Sequence, residues 1–174
     1  MKISDKLVSL LVFLLFFLLK PACAQVLPEN WLGNWKGEIN WFRDDSTQQI
    51  PMQLAISPID SAEALQWKII YGNGDNADVR DYRLITINKE KGAYLLDEQN
   101  SITIRTVLKD HALYSVFHVN SSFVQVTYRL VNEGLQVTMV SFNQDQGTVS
   151  GGKGEIPEVT DYKPVVQSGI LTRQ

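Results

Sequence analysis

Residues 32–41 read LGNWKGEINW, and their polarity alternates with a period of two. Trp35, Ile39 and Trp41 share one parity, whereas the charged side chains take the other. Successive side chains of a strand point to opposite sides, so this alternation is typical of a strand with one buried and one exposed face. The stretch is therefore predicted to begin a β-sheet.

Stretches with the same alternation follow at intervals of roughly 8–12 residues, separated by turns rich in Gly, Asn and Asp. The predicted strands after the first cover residues 50–56, 65–71, 79–88, 93–97, 101–108, 113–119, 123–131, 135–142 and 162–171. Residues 42–49 are predicted to be a polar turn, and the glycine-rich chain beyond Gly147 a loose segment. The short turns favour a meander in which each strand pairs with its predecessor.

A flat meander of about ten strands would leave two long unpaired edges, which natural proteins rarely expose. Pairing the first strand with the last removes both edges. The sequence therefore predicts an all-β fold, an antiparallel up-and-down β-barrel, with an open β-sandwich as the alternative. A barrel of about ten strands is wider than one of eight, so side chains alone are not expected to fill it.

An apolar segment precedes the predicted barrel. Lys2 and Lys6 are followed by an almost unbroken run of Leu, Val and Phe over residues 7–19. Ala22-Cys23-Ala24 then has the small-x-small pattern of a secretory cleavage site. Residues 1–24 are therefore predicted to be a signal peptide, since a helix of this length rises only about 20 Å and cannot cross a bilayer.

Cleavage after Ala24 would leave residues 25–174 as one barrel domain, secreted or periplasmic. Lipid anchoring at Cys23 is the alternative, and Lys20 and Pro21 disfavour it. Without the leader, 13 basic and 18 acidic residues remain, a net charge of −5. No basic cluster is present, so neither nucleic acid nor an anionic membrane is an expected partner. The oligomeric state is left open.

Gly33-Asn34-Trp35 opens the first predicted strand and resembles the G-x-W signature of lipocalins and the wider calycin group. In that family the Trp closes one end of the barrel and stacks with a basic residue from the final segment. The resemblance implies that Arg173 or Arg129 takes that position here. It also implies a calycin-like barrel that binds small molecules.

The number of strands is similar to that of fatty-acid-binding proteins and of haem-binding nitrobindin-type barrels. Fatty-acid-binding proteins insert a helical pair after the first strand, for which residues 42–49 are too few. The haem-binding barrels use a histidine near the C-terminus, and no histidine follows His118. No cofactor is therefore predicted, and haem held by His118 is the disfavoured alternative.

Seven residues are predicted to line the lumen or its ends and to contact a ligand: Trp35, Trp67, Tyr71, Tyr82, Arg83, Tyr128 and Met139. Two similar segments, DYRL at 81–84 and TYRL at 127–130, suggest that arginine and tyrosine meet a ligand carboxylate together. Arg80 and Arg105 are further candidates. The competing interpretation places each arginine in water, and strand parity predicts this for Arg129.

No group of residues has the spacing of a metal site, and no serine lies in a G-x-S-x-G context. His111 and His118 have opposite strand parity, so they are not expected to share a site. The sequence favours an exported protein that sequesters or carries a small, largely apolar ligand in a barrel lumen. The alternatives are a cell-surface β-sandwich module that binds protein or glycan, and an enzyme built on a calycin scaffold.

Overall fold

The computed structural model describes residues 27–43, 46–60 and 63–174. The predicted signal peptide, with Cys23, lies outside the described residues. The described strands are β1 (Gly33–Arg43), β2 (Ser46–Pro58), β3 (Ala64–Tyr71), β4 (Asp78–Asn88), β5 (Ala93–Asp97), β6 (Thr103–Lys109), β7 (Ala112–Val119), β8 (Ser122–Val131), β9 (Gly134–Asn143), β10 (Thr148–Gly151), β11 (Glu158–Asp161) and β12 (Val165–Arg173). Over these ranges, no helix has the length and apolarity needed to cross a bilayer.

Ten of these strands close into one barrel in the order β1-β12-β9-β8-β7-β6-β5-β4-β3-β2. Every neighbouring pair is antiparallel, and β1 pairs with both β2 and β12. The predicted antiparallel up-and-down barrel of about ten strands is therefore confirmed. The β-sandwich alternative is wrong, because the ten strands form one closed sheet, without an edge of its own, rather than two layers.

Glycines allow the close approach of β1 and β12 at the seam where the barrel closes. A Cβ atom added at Gly37 would lie 2.5 Å from the carbonyl oxygen of Ile170. One added at Gly169 would overlap the carbonyl oxygen of Glu38. The two backbones thus pack at a distance that only glycine permits at these positions.

Two segments between strands differ from their prediction. Residues 42–49 are not a turn, because Phe42 pairs with Thr47 and continues the ladder, leaving residues 44 and 45 between the strands. The glycine-rich segment beyond Gly147 contains the hairpin β10–β11, which forms a separate two-stranded sheet. Both strands of that hairpin are solvent-exposed, so no buried face marks them in the sequence.

Large side chains of the inward parity fill most of the barrel. The fully buried ones include Leu27, Trp31, Met52, Leu54, Ile56, Trp67, Leu84, Leu135 and Leu171. Tryptophan and leucine have the volume to meet across the axis, so the expected wide lumen is replaced by a packed core. The remaining space lies toward one end.

Candidate ligand-binding site at the open end of the barrel

One end of the barrel is closed by the chain that precedes β1. Trp31 lies in a short 3₁₀ turn and is buried, and its carbonyl oxygen accepts a hydrogen bond from Trp35 Nε1 at 3.0 Å. The Arg173 guanidinium lies 4.6 Å from the centroid of the Trp35 ring and donates to the Asn30 carbonyl at 2.5 Å. The resemblance to lipocalins implied this packing, and Arg173 rather than Arg129 provides it.

The opposite end opens into the interior. An inner cavity of about 60 Å³ lies beneath an outer vestibule of about 230 Å³. Tyr71, Arg80 and Met139 line both spaces and so form the boundary between them. The inner cavity has room for only a few water molecules, so a ligand that enters it must also occupy the vestibule.

One wall of the inner cavity is polar. Tyr71 ends β3 opposite Asp78 at the start of β4, and Arg80 follows two residues later on the same face. The Arg80 Nε and Nη2 atoms donate to Asp78 Oδ2 at 3.0 and 2.7 Å, and the guanidinium lies 5.0 Å from the Tyr71 ring centroid. The Tyr82 hydroxyl interacts with both Arg80 and Glu98, which follows β5.

The other wall is apolar except for Ser115, whose hydroxyl is hydrogen-bonded to that of Thr106. Its apolar side chains come from four successive strands: Ile104 on β6, Phe117 on β7, Val126 on β8 and Met139 on β9. Inward parity on each strand puts these side chains opposite the polar wall. A cavity with one polar and one apolar wall suits a molecule that has both characters.

The floor of the cavity is formed by Tyr128, which packs against Trp67 behind it. Tyr128 lines the space, and its ring packs edge-to-face on Trp67 with the centroids 5.1 Å apart. Trp67 is fully buried, and its indole N–H interacts with the Tyr128 hydroxyl. Burial raises the pKa of Tyr128 well above its ordinary value, so the hydroxyl is neutral and can donate a hydrogen bond.

In the polar wall, the tyrosines are protonated and neutral at pH 7, and the arginine is positively charged. Desolvation raises the pKa of Tyr71 and, assisted by the Glu98 carboxylate, the pKa of Tyr82. Burial alone would lower the pKa of Arg80, but its hydrogen bond to Asp78 and the neighbouring tyrosines raise it above the ordinary value. At neutral pH this wall therefore presents hydroxyl donors beside a fixed ion pair.

Four of the seven predicted ligand-contacting residues come together in this site. Tyr71, Tyr82, Tyr128 and Met139 all line the inner cavity. They come from β3, β4, β8 and β9, so the closed barrel brings together residues that are far apart in sequence.

The other three predicted residues lie elsewhere. Trp67 packs behind Tyr128 and is not part of the cavity surface. Trp35 belongs to the closed end of the barrel. Arg83 is exposed on the outer face, where it pairs in register with Gln66 and Asp97.

Sequence reasoning did not select Glu98, and it treated Arg80 only as a further candidate. The alternation of side chains along a strand would have identified both Arg80 and Glu98 as inward-facing. If Tyr82 points inward, Arg80 two residues before it also points inward and Arg83 points outward. Glu98 has the same parity as the inward-facing Leu96.

The two histidines do not face the cavity. His118 is exposed on the outer face, with its ring 5.5 Å from the ring of Phe123, and His111 lies in the turn between β6 and β7. Within the described parts of the chain, no three His, Cys, Asp or Glu side chains are grouped so that they could hold a metal ion.

No protein-family model, no curated protein and no solved structure matches this chain.

Proposed function

We propose that this protein binds a small, largely apolar molecule at the open end of its barrel. The observation that carries the proposal is the cavity itself, which has a polar wall, an apolar wall and hydroxyl groups at its floor, below an open vestibule. Binding follows from burial, because each square ångström of apolar surface removed from water contributes about 25 cal/mol. The polar wall would orient the ligand head.

The packing at the other end supports a carrier rather than a channel. Trp31, Trp35 and Arg173 fill that end, so a ligand has one route in and out. The same packing supports the proposed likeness to calycin barrels. An exported protein with this architecture would sequester or carry its ligand outside the cytoplasm, after removal of residues 1–24.

A cavity-filling variant tests the proposal. We expect 3-phenylpropan-1-ol, a neutral molecule with one apolar and one polar end, to bind the mature chain in isothermal titration calorimetry. Val126→Phe should weaken that binding at least tenfold, because the larger side chain occupies the inner cavity. Gln125→Phe is the matched control, since residue 125 is exposed on the outer face of the same strand, and its affinity should stay within about twofold of wild type.

Native mass spectrometry gives an independent measurement, because a natural ligand retained during purification would add its mass to the protein.

The proposal is wrong if the alcohol and its charged analogues all fail to bind the wild-type protein. It is also wrong if Val126→Phe and Gln125→Phe bind equally well while both keep the wild-type circular dichroism spectrum.

A further inference from the structure

We propose that the ligand is a cation, a protonated amine on a small apolar body, and that Glu98 is the residue that recognises it. This inference rests on the proposed function, because it concerns the same cavity. It goes further by naming the charge of the ligand and the side chain that selects it.

Among the described residues, no salt bridge joins the Glu98 carboxylate to a cationic side chain. Glu98 lines the inner cavity, accepts a hydrogen bond from Asn100 Nδ2 at 3.3 Å and interacts with the Tyr82 hydroxyl. The ion pairs among the described residues are Arg80–Asp78 and Lys109–Asp110, and neither includes Glu98. A ligand that covers Glu98 removes water from its carboxylate, and this costs free energy unless the ligand supplies a compensating charge or donor.

The charge of Arg80 is already balanced by Asp78. Two of its nitrogen atoms donate to one Asp78 oxygen, and its guanidinium lies over the Tyr71 ring. A ligand carboxylate would share this guanidinium with Asp78 and would be repelled by the carboxylates of Asp78 and Glu98. Asp78, Arg80 and Glu98 together carry a net charge of −1, which favours a cation at this wall.

The segments around the vestibule also carry a net negative charge. The chain joins neighbouring strands at the open end through residues 72–77 and 144–164. The charged residues in these two connections are Asp75, Asp145, Lys153, Glu155, Glu158, Asp161 and Lys163. Five acidic residues against two basic ones produce a negative potential that raises the local concentration of cations and their association rate.

The apolar wall would contact the uncharged part of the ligand. Phe117 and the ring of Tyr82 line the same space, and aromatic faces attract organic cations. An ammonium group at Glu98 would leave its carbon chain against Ile104, Val126 and Met139. A small arylalkylamine therefore satisfies both walls.

Three analogues of one shape test the inference: 3-phenylpropylamine, 3-phenylpropan-1-ol and 3-phenylpropanoate. At pH 7 and low salt we expect the amine to bind wild-type protein at least tenfold more tightly than the alcohol, and the propanoate to bind most weakly. Glu98→Gln should reduce the preference for amine over alcohol to about threefold or less, while the circular dichroism spectrum stays that of the wild type. The matched control is Glu133→Gln, which removes the same charge at an exposed turn on the closed end.

The outcomes separate this inference from the proposed function. If the alcohol binds and the amine binds no better, the inference is wrong and the proposed function stands. If Glu98→Gln and Glu133→Gln weaken amine binding equally, contact with Glu98 is excluded. A wild-type circular dichroism spectrum shows that Glu98→Gln is folded, so a lost amine preference then supports the inference.

Discussion

The buried hydroxyl of Tyr128 makes the barrel less stable as the pH rises into the alkaline range. Burial raises the pKa of Tyr128 well above the ordinary value of 10.0, so the folded protein keeps this proton at a pH where the unfolded chain releases it. Above about pH 10 the unfolded state binds fewer protons than the folded state, and the free energy of unfolding falls as pH rises. Each pH unit in that range removes about 1.4 kcal/mol for one such group.

Tyr128→Phe should therefore flatten the decrease in stability between pH 9 and pH 11, as measured by urea unfolding. Tyr162→Phe is the control, because its ring stacks on Phe142 outside the barrel. Tyr71, Tyr82 and Tyr94, whose pKa values are also raised by burial, preserve part of the slope in both variants. A Tyr128→Phe profile parallel to that of the wild type would contradict the assignment.

Parity in the sequence predicted individual inward-facing residues well where a strand has clear alternation. Tyr71 and Tyr128, which strand parity groups with apolar neighbours, both line the cavity. The DYRL segment drew attention to Arg83 because of its local motif, whereas the side chain facing the site is that of Arg80. A motif indicates which residue types are close in sequence, but only the direction of the strand decides which of them share a face.

At the scale of elements, the seam between β1 and β12 depends on two residues without side chains. Gly169→Ala places a methyl group against the backbone of Glu38 and forces the two strands apart. We expect a loss of about 1–3 kcal/mol in the free energy of unfolding, the usual cost of overpacking. Chemical denaturation measures it.

Ser168→Ala is the control for that variant, because it alters the neighbouring residue of β12 without adding an atom. Gly37→Ala should destabilise the protein in the same direction, since its Cβ would meet the carbonyl of Ile170. Wild-type stability in both glycine variants would show that the seam can relax and that close approach is not required for closure.

The sequence predicted ten barrel strands, but not the hairpin β10–β11. The barrel strands each bury alternate residues, and this burial produces the period of two. The hairpin buries neither face, so its residues, such as Val149 and Val159, carry no pattern that burial would impose. The polar ends of β1 and β2 were missed for the same reason.

The barrel has one closed and one open end. The closed end depends on contacts between the end of β12 and the segment around the start of β1, which are far apart in sequence. Arg173 stacks on Trp35 and donates to the Asn30 carbonyl, while the backbone N–H of Gln174 donates to the Asn34 carbonyl at 2.9 Å. Sequence motif alone left two arginines for this position. Only the register of β12 against β1 selects between them.

Arg173→Ala should lower the free energy of unfolding by about 1–2 kcal/mol, through loss of the cation–π contact and of a charged hydrogen bond. It should also increase the quenching of tryptophan fluorescence by acrylamide, since Trp35 and Trp31 lose their cover. Arg105→Ala, an exposed change on β6, should alter neither quantity. Equal effects of the two substitutions would mean that Arg173 does not secure the closed end.

The position of β12 between β9 and β1 also has a consequence for biogenesis. The Thr172 hydroxyl donates to the carbonyl oxygen of Lys36, 136 positions earlier in the chain. Until the C-terminal strand has been synthesised, β1 and β9 each keep one row of amide and carbonyl groups without its native partner. Such rows are templates for pairing with other chains, and contacts between distant residues form slowly. We therefore expect the nascent protein to pass through a stage prone to self-association, which ends only when β12 docks between β9 and β1.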